Sequence, residues 1–117
     1  MPVLAQGMAD TLFSELAAII NARALARLTA DAGTSANARL QQDLVTFLRQ
    51  AQPLASVQRV HVGAVVASGV EVTSAMHFTW RNHAGVPFDR IARFSGIAVY
   101  TDGGWALRNV RLLNRFW

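Results

Sequence analysis

The chain contains no cysteine and no lysine. The first absence removes any disulfide framework, thiolate metal site or cysteine nucleophile, and leaves no marker of redox compartment. The second excludes Schiff-base chemistry and a lysine general base. Charge is sparse, at 15% of the 117 residues, and acids number only seven. Long apolar runs are missing too. The longest, VGAVVASGV at 62–70, is about half of what a membrane-spanning helix needs and is broken by Gly and Ser. No basic residue precedes Arg23, so MPVLAQGMADTLF does not read as a secretory signal. There is no G-x-S-x-G elbow, P-loop or dinucleotide glycine pattern.

What remains is an apolar chain, 52% hydrophobic, of a size suited to one domain over residues 1–117. That much apolar surface exceeds the needs of one small core and points to a homodimer or a docked partner. All eleven basic residues are arginine, and the net charge is +4. Residues 1–56 hold four arginines and four acids, whereas 57–117 hold seven arginines and three acids. The positive excess therefore belongs to the second half.

The chain changes character at Pro53. Before it, Leu12, Leu16, Ile19, Ile20, Arg23, Ala24 and Leu28 recur at helical spacing, with Asp10 as N-cap. The pattern fades at DAGTS (31–35), where Gly33 stops the helix and Thr34 or Ser35 caps the next. Leu40, Leu44, Phe47 and Leu48 mark that second helix, so helices occupy about 9–52. After Pro53 the period becomes two, and three turn signals, ASG, HAG and DGG, divide about 57–113 into a four-stranded antiparallel meander.

A Gly-closed three-residue loop sets strand register. At ASG it pairs Val66 with Val70, and then Val62 with Ser74 and Val60 with Met76. At HAG it pairs Asn82 with Val86, Trp80 with Phe88, Phe78 with Arg90, Met76 with Ala92 and Ser74 with Phe94. DGG admits a two- or a three-residue loop, and the two put opposite faces of the last strand on the core side. Trp80, Phe78 and Phe88 then face the helices, and His77, Thr79, Arg81 and Asp89 face away. Arg90 falls on the apolar side. Either it reaches solvent past its own stem, or it lines a pocket with Ser74, Tyr100, Asn109 and Arg111 that suits an anionic or carbonyl-bearing ligand. The pocket candidates are Arg90, Ser74, Tyr100, Trp80, Phe78, Met76, Phe94 and Asn109.

Two helices followed by a long antiparallel meander resemble the NTF2-like (cystatin-like α+β) superfamily. The segment TWRNHAGVPFDRIARFSGIAVYTDGGWALRNVRLL (79–113) is similar in rhythm to the last three strands of those domains, and DGGWALRNV (102–110) to the Gly-then-Trp start of the last one. The chain is short for the extra strand and helix that usually precede the meander there. The resemblance implies an α+β cone of helices on a curved four-stranded sheet. It implies either a non-catalytic ligand-binding or dimerisation module or, alternatively, a small-molecule isomerase, cyclase or hydrolase. The enzymes use a pocket Asp with a polarising partner. Here Glu71 and Asp89 face away from the pocket, and Tyr100 and Arg90 lack a carboxylate partner. His77 or Asp89 serves as base only if the register slips by one.

His61 and His77 fall on neighbouring strands in nearly adjacent positions, with Arg59 opposite His77, but a third metal ligand is wanting. No cofactor is implied. Arg59, Arg81 and Arg93 share the outer face, with Arg108 a further candidate. The aromatics that nucleic-acid stacking needs lie on the other side. Together with Ile91, Ile97 and Ala75, these arginines read as a wet interface, and the expected arrangement is a homodimer through the outer sheet face.

Overall fold

The computed structural model of the protein describes residues 2–24 and 38–117. Two helices, α1 (Gln6–Asn21) and α2 (Ala38–Ala51), precede four strands, β1 (Leu54–Val66), β2 (Gly69–Arg81), β3 (Pro87–Thr101) and β4 (Gly104–Leu112). The strands form one antiparallel sheet in the order β1-β2-β3-β4, and both helices lie on one of its faces. This is the α+β cone arrangement expected above.

Helix α1 forms because Ala9, Leu12, Phe13, Leu16, Ala17 and Ile20 make one apolar stripe, and all six are buried. It begins four residues before Asp10, which lies within the helix and not at its N-cap. The N-cap is Ala5, with no side-chain hydrogen bond. Tertiary contact replaces the cap, since Gln6 Nε2 donates to the Val60 carbonyl at 2.9 Å. The helix ends where Arg23 adopts a left-handed conformation, φ 62°. The Arg23 guanidinium donates to the carbonyls of Ile20, Gln52 and Pro53, tying the end of α1 to the loop before β1. Gly33, Thr34 and Ser35 lie outside the described residues.

An open sheet leaves unpaired N–H and C=O groups along its edges. Here side-chain amides take the place of a neighbouring strand. Asn21 of α1 accepts from Ala55 N–H at 2.7 Å and donates to the Ala55 carbonyl at 2.9 Å, on the free edge of β1. Gln41 of α2 does the same on β4, accepting from Leu112 N–H and donating to the Val110 carbonyl, both at 2.8 Å. Past the end of β4, Asn114 accepts from Arg93 N–H at 2.7 Å and donates to Ile91 O at 3.0 Å, completing the edge of β3. One amide can satisfy a donor and an acceptor together, which hydroxyls and carboxylates do less well.

The β2–β3 register agrees with the sequence reading throughout, from Trp80↔Phe88 to Ser74↔Phe94. Gly85 takes φ 79°, and Asn82 Oδ1 accepts from Ala84 N–H and Val86 N–H. The third turn is the two-residue form, with Asp102 at φ 53° and Gly103 at φ 80°, a pairing of positive angles that suits the twist of a hairpin.

The first hairpin differs from expectation. Its loop is the two residues Ala67 and Ser68, Val66 pairs with Gly69, and irregularities between Val57 and Arg59 and between Val62 and Val65 shift the register. Val60 therefore faces Ser74, Val62 faces Val72, and Arg59 faces Ala75, not His77. His61 faces Thr73 and His77 faces Ser56, which separates the two histidines along the sheet. Gly69 is needed here for space. A Cβ on it would stand 2.2 Å from the Ala98 carbonyl oxygen. Gly69→Ala is expected to cost about 1–3 kcal/mol, the range of an overpacked core. Gly7→Ala, where a Cβ meets nothing within 4 Å, is expected to be neutral or stabilising; urea melts of both variants check the contrast.

Candidate interaction surface

The inner face of the sheet is occupied by packing. Val72, Met76, Phe78, Ala92, Phe94 and Leu112 are buried beneath α1 and α2. The C-terminal residues close the end beyond them. Asn114 turns the chain, and Phe116 then enters between α2 and the sheet. Its ring lies 4.7 Å from Phe78 and 5.5 Å from Phe47, centroid to centroid. Trp117 stacks on Phe47 at 5.1 Å, and Phe47 meets Trp80 edge-on at 4.8 Å. Arg115 lies over the Trp117 ring and pairs with Asp43 of α2 at 3.5 Å.

The pocket candidates fall into separate groups within this arrangement. Ser74, Met76, Phe78 and Phe94 are buried together beneath the helices. Ser74 Oγ has no hydrogen-bond partner among the described residues. Trp80 is half-buried and stacks on Phe88 at 5.3 Å. Arg90 is exposed, with its guanidinium 5.1 Å from the Phe88 ring and one N–H on the Asp89 carbonyl. Tyr100 is also exposed, against Trp105. It stands ten residues from Arg90 on the same strand, about 30 Å of extended chain. Asn109 is exposed at the β4 irregularity, in a left-handed conformation with φ 52°. That extra residue sends Arg111 to the outer face opposite Ser95.

No described helix packs against the outer face of the sheet. Three of its cross-strand rows hold Arg59, Arg93, Arg108 and Arg111. Arg59, Ala75 and Arg93 form one, His61, Thr73, Ser95 and Arg111 the next, and Glu71, Ile97 and Arg108 the third. Arg59 and Arg93 stand two strands apart, about 10 Å between their Cα atoms. Between them Ala75 is only 7% exposed, and Ile91, Ile97 and Val99 are half-buried. The face thus intersperses apolar side chains with arginines: Ala75 lies between Arg59 and Arg93 with Ile91 on its diagonal, and Ile97 lies beside Arg108 beyond the polar row of Thr73 and Ser95.

Counting Arg81 and Asp89, the face carries five arginines and two acids, three of the chain's four net positive charges. One of the acids is engaged, since Asp89 is bonded to His77 on the neighbouring strand. Arg81 donates to the Gly85 carbonyl in its own turn. Among the described residues Arg59, Arg93, Arg108 and Arg111 form no salt bridge. The sequence pattern located Arg59, Arg81 and Arg93; Arg111 was obscured by the irregularity at Asn109.

Neither a protein-family model nor a curated protein matches the chain. Among solved structures it is similar to the crystal structure of the intermembrane space region of the chloroplast protein ARC6. The TM-score is 0.53 over 97% of this chain and 100% of that one, at 14% sequence identity. At that identity the likeness is one of fold. Helices on a four-stranded antiparallel sheet are broadly consistent with NTF2-like and cystatin-like topology. Among the described residues no group of three His, Asp or Glu stands close enough to hold a metal ion, and no helix is long and apolar enough to cross a membrane.

Proposed function

We propose that the protein is a non-catalytic docking module of NTF2-like type that holds a partner polypeptide on the outer face of its sheet. The observation that carries this reading is the contrast between the two faces. One is filled by α1, α2 and the Phe116–Trp117 tail. The other is left without a described helix and sets Ala75, Ile91, Ile97 and Val99 among Arg59, Arg93, Arg108 and Arg111. Arginines interleaved with apolar side chains suit a protein–protein interface, where arginine is enriched over the rest of the surface. A second copy of the chain, which its apolar composition suggests, would bring the like-charged arginines of both copies together there. The enzyme reading lacks support in the interior, where the buried polar side chains among the described residues are Gln41, bonded to β4, and Ser74, whose hydroxyl has no partner.

Ser74 provides the test. In a docking module its hydroxyl is a desolvated group in a packed core, and Ser74→Ala is expected to raise stability by about 1 kcal/mol. The check is a thermal melt. A clear loss of stability instead would mean that the hydroxyl serves a ligand or an internal water, which is the pocket reading.

A further inference from the structure

Resting on the reading of the outer face as a docking surface, we infer that its partner is an acidic polypeptide segment, its carboxylates held by Arg59, Arg93, Arg108 and Arg111 and its apolar residues set against Ala75, Ile91 and Ile97. Charge complementarity points to it. Four arginines without a salt-bridge partner among the described residues are clustered on β1, β3 and β4, and Glu71 is the remaining acid among them. In water such charges two strands apart repel only weakly, a cost the free protein tolerates. Buried against a second copy, where the effective dielectric is about fourfold lower, the same repulsion grows in proportion, and the interface would gather both sets of arginines. Carboxylates from an acidic partner turn that repulsion into paired forks.

The placement of the aromatic residues separates a polypeptide from other anions. All ten aromatic residues lie in the helices, at inner-face positions of the sheet or in the C-terminal tail, and none is on the outer face. The face therefore lacks the stacking platform of a single-strand binder and the Trp/Tyr anchors of a membrane surface. It offers instead aliphatic side chains between arginines, which match a segment that alternates acids with small apolar residues.

The test uses the whole chain and a short fluorescein-labelled peptide of repeating Asp-Glu-Leu, read by anisotropy at low salt. Comparison probes are an oligouridylate of equal length and vesicles of phosphatidylcholine with phosphatidylserine. Arg93→Gln/Arg111→Gln is expected to weaken peptide binding about tenfold. Arg39→Gln/Arg49→Gln, an equal charge loss at exposed positions of α2, is expected to change it less than twofold. Circular dichroism confirms that both variants are folded. If the oligouridylate or the vesicles bind more tightly through Arg93 and Arg111, the acidic-peptide inference and the polypeptide-docking reading both fail. If sedimentation shows a dimer that the Arg93/Arg111 variant dissolves, the acidic-peptide inference fails and the docking reading stands. If no probe, and no dimer, depends on those two arginines, both the inference and the docking reading fail.

Discussion

Phe116→Ala is expected to lower the unfolding free energy by about 3–5 kcal/mol, the usual cost of emptying a buried aromatic site. The ring is 6% exposed and forms close pairs with Phe47, Phe78 and Trp117. Its loss leaves a void between α2 and the sheet that the rigid rings around it cannot refill by small shifts. Leu113→Ala, only three positions earlier and 49% exposed, is the control and is expected to cost far less. Urea denaturation of both variants checks the difference. A cost below about 1 kcal/mol for Phe116→Ala, no more than an ordinary surface substitution, would mean that the tail does not close the inner face in solution. The contrast between a filled and an open face would then be lost.

Gln41→Met is the second large effect. Methionine keeps the length and volume of glutamine but cannot bond the backbone. Gln41 is 7% exposed, and its amide is the partner of both Leu112 N–H and the Val110 carbonyl. Leaving the buried Leu112 N–H and the part-buried Val110 carbonyl unsatisfied costs about 1–3 kcal/mol each, so a total of about 2–6 kcal/mol is expected, the carbonyl contributing the lower share. Gln42→Met, one residue away on the exposed side of α2, is expected to be near neutral. Equilibrium melts compare the two. Hydrogen exchange adds a local reading, since the Leu112 amide should lose protection in Gln41→Met well before the centre of β2 does. Equal costs for the two variants would contradict the edge-closing role of Gln41.

The β2–β3 hairpin was legible because two local signals agree. Gly85 supplies the left-handed position that its loop requires, and the Phe78, Trp80 and Phe88 alternation admits only one register with an apolar inner face. The first hairpin was not. Residues Val60, Val62 and Val66 stay apolar under several registers, so their alternation does not expose the irregularities within β1. The role of Gly69 depends on the backbone of β3, nearly thirty residues away in sequence. Asn21, Gln41 and Asn114 read as ordinary polar residues until the strand edges they complete are known. Of the outer face, three arginines followed from strand parity alone. Arg111 depended on the left-handed conformation of Asn109, which period-two reasoning cannot detect.

Methyl chemical shifts test the central claim most directly. Backbone amides of a strand report both faces at once, but side chains point to one face only. The methyls of Ala75, Ile91, Ile97 and Val99 report the outer face, and those of Val72, Met76, Ala92 and Ala98 the inner. Titration with the acidic peptide is expected to move the first set and leave the second unchanged. Shifts concentrated on Val72, Met76 and Ala92 would place the binding site between helices and sheet and contradict the account.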